Sequence, residues 1–390
     1  MQSNTFRRLF PLAATAVAAM LASGAALAQE VVKIGYTGPL SGGAALYGKN
    51  VLSGVQMAVD EINAAGLEVK GKKVKLEVVA LDDKYSPAEA AINARRLVQQ
   101  HKTTAVFVPH SGGIFALQAF NEQEKFLVMA YSSVPRITDA GNKLTIRIPP
   151  AYTGYIEPFV KAQMKRYGKN VALTPADHDY AKAWVQAFVP AWEGAGGKVV
   201  GNNPMSYTKA TDFYSGVSRA ITDKPDVMFI GGPSEPTALV VKQARELGFK
   251  GGFIIMDQAK MDEMAKVTNG LAMLEGSIGV LPLVNDGRPA AQSFNARYKK
   301  LHDGRDATTE MSLNYTMVYA LAGAMKLAGT TSDAAAIRAK MPDAVKALPK
   351  DANPNEVEGI DAKGGSVADT VVGWVQNGKI SPVRLSELAK

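Results

Sequence analysis

Along this chain the apolar positions alternate between two periods, about two residues and about 3.6, and the switching predicts the elements in order. A β-rich run, Val31 to Tyr36, leads into a Gly/Pro/Ser loop. Val51, Val55, Ala58, Val59 and Ile62 then recur at helical spacing up to Gly66. The unit repeats as a strand at Val74 to Leu81, a helix at Pro87 to Gln100, a strand at Ala105 to Pro109, a helix from Gly112 to Lys125 and a strand at Phe126 to Tyr131. Strands that alternate with helices this long predict a parallel sheet covered on both faces, because each crossover helix must lie on one of them.

The alternation restarts after Pro149-Pro150. Strands at Asn170 to Leu173, Lys198 to Gly201, Asp226 to Ile230 and Phe253 to Met256 are separated by helices at Tyr180 to Gly194, Thr211 to Thr222 and Pro236 to Leu247. Two doubly wound units in series follow from this. The remainder reads as helices at Ala290 to Leu301, Asn314 to Leu327 and Asp333 to Lys340, with one late strand at Thr370 to Gln376. So little strand cannot build a third sheet, so these segments are expected to return and complete the first two.

The N-terminus changes the picture. Arg7 and Arg8, the apolar stretch Leu9 to Ala22 and the small-x-small triplet Ala26-Leu27-Ala28 form an export signal cleaved before Gln29. The apolar stretch is shorter than the about 20 helical residues that span a bilayer, so the mature chain is expected to be soluble and periplasmic. The sequence has no cysteine, which leaves neither a lipid-acylation site nor a disulfide. Removing the leader leaves enough chain for about two domains. The leader arginines account for two of the eight net positive charges, and lysines such as Lys70, Lys72, Lys73 and Lys75 are scattered. No basic run is interleaved with aromatics, so no nucleic-acid partner is expected.

In open parallel sheets, ligands bind beyond the carboxyl ends of the strands. The loop Thr37 to Lys49 carries Gly38, Gly42, Gly43, Gly48 and Tyr47 but lacks both the dinucleotide and the Walker spacing. In Pro109-His110-Ser111-Gly112-Gly113, Ser111 falls at a helix N-cap, and the amides of Gly112 and Gly113 would stand free to receive a carboxylate. Plain capping is the alternative. Ser132 and Ser133, at the end of the next strand, could converge on the same anion or serve only as turn residues. Asp177-His178-Asp179 cannot aim adjacent side chains at one metal, so no metal is expected. Asp257 ends a strand either as a helix cap or as a ligand contact. No G-x-S-x-G elbow, H-E-x-x-H motif or cysteine nucleophile is present, and no enzyme or cofactor is expected.

Certain stretches resemble a known family: Lys33-Ile34-Gly35 with Gly38-Pro39-Leu40-Ser41-Gly42, Tyr47-Gly48, Ala58 through Gly66, Gly71-Lys72-Lys73, Thr211-Asp212-Phe213 and Gln243 through Gly248. The family is the type I periplasmic solute-binding proteins of branched-chain amino acid ABC transporters, the leucine/isoleucine/valine group, and the resemblance runs from Val32 to Ile380. It implies an α/β fold of the periplasmic binding protein type I class, with two doubly wound parallel-sheet lobes joined by three crossovers. Lobe 1 would take 29–149 and 281–341, lobe 2 would take 150–280 and 342–390, and hinges would lie near Pro149, Leu281 and Met341.

The resemblance also implies site roles. Ser111 and Ser133 would hold a ligand carboxylate, with Gly112 and Ser132 offering backbone contacts. Asp257 would face a ligand amine, and Tyr47 and Tyr180 would close from opposite lobes. After Gly231-Gly232, where relatives carry an aromatic pair, this chain has Pro233-Ser234-Glu235-Pro236, which makes Ser234 part of a reshaped wall. A family disulfide would bridge the positions of Tyr85 and His110. The implied function is capture of a small carboxylate-bearing solute, an aliphatic or branched-chain amino acid, by a monomer that delivers it to an inner-membrane ABC permease. The alternatives are an aromatic or other organic carboxylate, or a periplasmic sensor partner.

Overall fold

The computed structural model describes residues 29–388, so the expected leader lies outside the described residues. The first sheet comprises Glu30–Gly38 (β1), Leu67–Val69 (β2), Lys72–Asp82 (β3), Ala105–Val108 (β4), Leu127–Ala130 (β5) and Thr145–Arg147 (β6), in the order β2-β3-β1-β4-β5-β6. The later strands are Asn170–Pro175 (β7), Lys198–Asn202 (β8), Val227–Gly231 (β9), Gly252–Ile255 (β10), Ser277–Val280 (β11), Gly359–Ile360 (β12), Ser366–Val367 (β13), Val371–Gln376 (β14) and Lys379–Arg384 (β15). Of these, β12 and β13 pair only with each other, and the rest form a second sheet ordered β15-β14-β11-β10-β9-β7-β8.

Alternation along β4 shows why both faces of the first sheet are covered. Ala105 and Phe107 point into a core shared with the helices Ala45–Ala65 and Thr309–Ala328. Val106 and Val108 point into the opposite core, with Ala94 and Leu97 of the helix Pro87–Gln99 and Ile114 of the helix Ser111–Gln118. That second core runs on into the other lobe through Trp184, Phe229 and Ile254.

Three departures from the expected elements have local causes. The helix expected over 112–125 is two helices, Ser111–Gln118 and Asn121–Glu124, because Phe120 leaves helical geometry and packs its ring 5.6 Å from Phe126. The helix Thr153–Tyr167 was hidden from the sequence reading by Pro158 in its interior, which removes a backbone donor. The hairpin β14–β15 turns on Asn377 and Gly378, both at positive φ, the geometry a tight two-residue hairpin requires.

The return of the chain to the second lobe comes later than the division expected at 341. Met341 is fully buried inside the helix Ala334–Lys346, and Ala344, Val345, Ala352, Val357 and Ile360 pack into the first lobe's core. The chain therefore crosses between lobes at 148–152, 281–288 and 368–370. Apolar burial holds the helix carrying Met341 on the first lobe. Two of the crossovers are tied together: Ser366 Oγ lies 3.0 Å from Arg147 O and 2.5 Å from Ile148 O, and Arg147 N donates to Gly364 O at 2.8 Å.

Candidate functional site

The carboxyl ends of β4 and β5 carry three serines into the space between the lobes. Ser111 Oγ and Ser132 Oγ lie 2.7 Å apart, and both residues are buried. Ser133 reaches across the cleft, its hydroxyl donating to Asp257 Oδ1 at 2.9 Å. That same oxygen accepts from Tyr180 OH at 2.5 Å and from Trp184 Nε1 at 3.0 Å. Burial, with Asp257 next in importance, pushes the Tyr180 phenol well above its ordinary value, so Tyr180 is a donor at neutral pH. Its oxygen in turn accepts Gln258 N at 2.9 Å.

Tyr47, Ser111, Ser132, Ser133, Tyr180 and Asp257 line one interlobe cavity. Tyr85, Pro109, His110, Tyr131, Pro149 and Gln258 complete its wall. A second cavity, where the chain crosses between lobes, shares Tyr131, Pro149 and Asp257 with the first, so the two are contiguous. Two expected residues lie elsewhere. Gly112 does not line this cavity but an outer recess with Pro87 and Asp179, which borders the cavity at Tyr85, His110, Ser111 and Tyr180. Ser234 does not line the cavity; its hydroxyl accepts Lys260 N at 3.0 Å.

The expected capping also differs. His110, in extended geometry, is the N-cap of Ser111–Gln118, and its Nδ1 accepts the Gly113 amide at 3.0 Å. Its Nε2 faces Asp83 Oδ2 at 2.9 Å, which places the ring proton on Nε2. The Gly113 amide is thus already paired, and a Cβ on Gly113 would come within 2.6 Å of the imidazole. Tyr85 and His110, at the positions of a family disulfide, stack at 4.6 Å between ring centroids. Tyr85 OH also accepts Gln258 Nε2 from the other lobe at 2.9 Å.

His178 extends the aromatic seam, 5.1 Å from Tyr85 and 5.9 Å from Tyr180. Both of its ring nitrogens are buried without a partner, and burial pushes its value down to about 4, outweighing the opposing pull of Asp177. Among the described residues, no group of three or more acidic, histidine or cysteine side chains could hold a metal. Ser206 and Lys209 have the serine–lysine spacing of an acylating pair, but Lys209 is exposed and the Ser206 carbonyl serves a turn. No helix among the described residues is long and apolar enough to cross a membrane.

The sequence model of the periplasmic binding protein family matches residues 31–367. The chain belongs to this family. Members of this family bind solutes and are not enzymes. The chain is 28% identical over 319 residues to an amino acid binding protein of Pseudomonas aeruginosa, covering 78% of this chain and 81% of that one. The Leu/Ile/Val-binding protein of Escherichia coli K12 is 25% identical over 244 residues, 60% of this chain and 64% of that one. A leucine-binding protein from Thermotoga maritima superposes with a TM-score of 0.75 at 25% identity, covering 90% of this chain and 97% of that one. A Rhodopseudomonas palustris solute-binding protein in complex with benzoate shares the fold, with a TM-score of 0.76 at 17% identity over 91% of this chain and 96% of that one.

Sequence reasoning missed Tyr131 and Gln258 as cavity residues and took Tyr85 and His110 only as disulfide positions. Their signal was available: each sits at or just beyond the carboxyl end of a strand whose neighbours were already suspected.

Proposed function

We propose that this binding protein captures a small aliphatic amino acid between its lobes and presents it to an ABC permease. The observation that carries this reading is the meeting of three serine hydroxyls from one lobe with Asp257 from the other in a single buried cavity. Ser111 and Ser133 would donate to the ligand carboxylate, and the free side of Asp257 would accept the ammonium. A ligand bearing only negative charge would face Asp257 at close range in a poorly solvated cavity, which Coulomb repulsion disfavours. The contiguous hinge cavity, with Val280, Leu281 and Leu283 in its wall, gives the apolar side chain a place to extend.

One observation favours an aromatic carboxylate instead. Tyr47, Tyr85, Tyr131 and Tyr180 surround the cavity, and flat faces of this kind suit a ring. Calorimetry with L-leucine, L-isoleucine, L-valine and benzoate separates the two. The amino-acid reading expects binding of at least one aliphatic amino acid and none of benzoate; the reverse selectivity overturns it.

A further inference from the structure

Away from the ligand cavity, four buried polar side chains join the lobes. Asn50, on the helix Ala45–Ala65, and Glu310, on Thr309–Ala328, belong to the first lobe. Glu263, on the helix Met261–Val267, and Lys260, just before that helix, belong to the second. Asn50 Nδ2 donates to Glu263 Oε1 at 2.5 Å and to Glu310 Oε1 at 3.0 Å. Lys260 Nζ lies 3.8 Å from Glu310 Oε2 and donates to the backbone carbonyls of Asp257 and Gln258. Fractional exposures are 2% for Asn50, 2% for Lys260, 5% for Glu263 and 0% for Glu310.

The cluster holds two carboxylates but only one ammonium and one amide. The second oxygens, Glu263 Oε2 and Glu310 Oε2, have no hydrogen-bond partner. With both acids ionised, the closed cleft would bury an uncompensated negative charge, which is costly in a poorly solvated interior. Opening the lobes separates Glu263 from Asn50 and Glu310 and returns it to water. We propose that Asn50, Glu263 and Glu310 form a cross-lobe latch that closes by taking up one proton, so that lobe closure depends on pH.

The groups facing Glu263 agree. Burial first, and the Glu310 charge second, raise its carboxyl to about 8 in the closed structure. The Ser234 hydroxyl pulls the other way, Asp262, itself raised to about 6 by burial, adds repulsion, and Lys260 opposes it more weakly; burial and Glu310 outweigh the two lowering groups. Lys266 acts on Asp262, and the buried Tyr131 phenol nearby is neutral. A carboxyl whose value is higher closed than open stabilises closure fully below its open value, near 4.3, and loses that contribution as pH rises to about 8. His178 works the other way, because an exposed imidazole gains the proton that the closed seam refuses. At pH 6.5 an exposed His178 is half protonated and opposes closure by about twofold, small beside the change the latch gives between pH 6.5 and 8.5.

The absence of native cysteines allows spin labels at Gln56→Cys and Lys209→Cys, exposed sites on opposite lobes, in otherwise unaltered ligand-free protein. Distance distributions are expected to show the closed-to-open ratio rising on the order of twentyfold as pH falls from 8.5 to 6.5, the change that proton linkage gives for a shift from about 4.3 to about 8. Glu263→Gln, which keeps the shape and remains neutral, is expected to abolish the pH dependence. A wild-type ratio that does not change over this interval overturns the latch; so does a Glu263→Gln protein that retains the wild-type dependence. The wild-type titration decides the matter even if the variant folds poorly.

Discussion

Asp257 and the pair Glu263 and Glu310, all at the lobe interface, are solvated in opposite ways. Asp257 gathers Ser133, Tyr180 and Trp184 on one oxygen, three donors for one acceptor atom. Glu263 and Glu310 divide a single Asn50 amide, and each keeps one oxygen without a hydrogen bond, that of Glu310 facing the Lys260 ammonium at 3.8 Å. A surplus of fixed donors suits a constant negative charge that a ligand can be aimed at, whereas a deficit suits a group that changes its protonation as the cleft moves. Burial alone therefore does not tell what an interface acid does; the count of donors does.

Breaking the surplus should cost most. Asp257→Ala leaves the Ser133 and Tyr180 hydroxyls and the Trp184 N–H without their acceptor, and about 3 kcal/mol of stability should disappear in urea unfolding. Ser111→Ala acts on the anion side of the same cavity. It should weaken amino-acid binding by about 2 kcal/mol in calorimetry, the range for a hydrogen bond to a charged group, and lower stability by about 1 kcal/mol because the Ser132 hydroxyl loses its partner. Tyr85→Phe removes a neutral cross-lobe bond to Gln258 and should cost binding only about 1 kcal/mol. On the deficit side the sign reverses: Glu263→Gln should leave stability at pH 7 equal to or above that of the wild type, because the neutral side chain avoids the price of protonation. A large loss there would erase the contrast between the two acids.

The sequence made the sheets legible because their strands are short apolar runs bounded by Gly and Pro, with amphipathic helices between. It was silent where tertiary packing overrides local signal. Pro158 and Pro342 sit inside helices that burial maintains, and the second of these keeps the chain packed on the first lobe beyond Met341. The hairpin at Asn377-Gly378 carried a readable turn signal that was passed over. Within the site, Ser111, Ser133 and Asp257 could be named because each stands beside a strand end, and Tyr180 through the family resemblance. The capping role of His110 was hidden because imidazole is an uncommon cap, and it acts here only because Asp83 fixes its tautomer. The Asn50–Glu263 contact joins residues 213 apart, a distance at which the sequence carries no local periodicity.

The central claim is that one ligand places its carboxylate on the serines and its ammonium on Asp257. Calorimetric titration of wild-type and Asp257→Asn proteins, each with L-leucine, L-isoleucine, L-valine and benzoate, tests it most directly. The account expects the wild type to bind an aliphatic amino acid and ignore benzoate, and Asp257→Asn to lose that amino acid by about a hundredfold, close to 3 kcal/mol. Benzoate binding to the wild type, or an Asp257→Asn protein with undiminished amino-acid affinity, would contradict it.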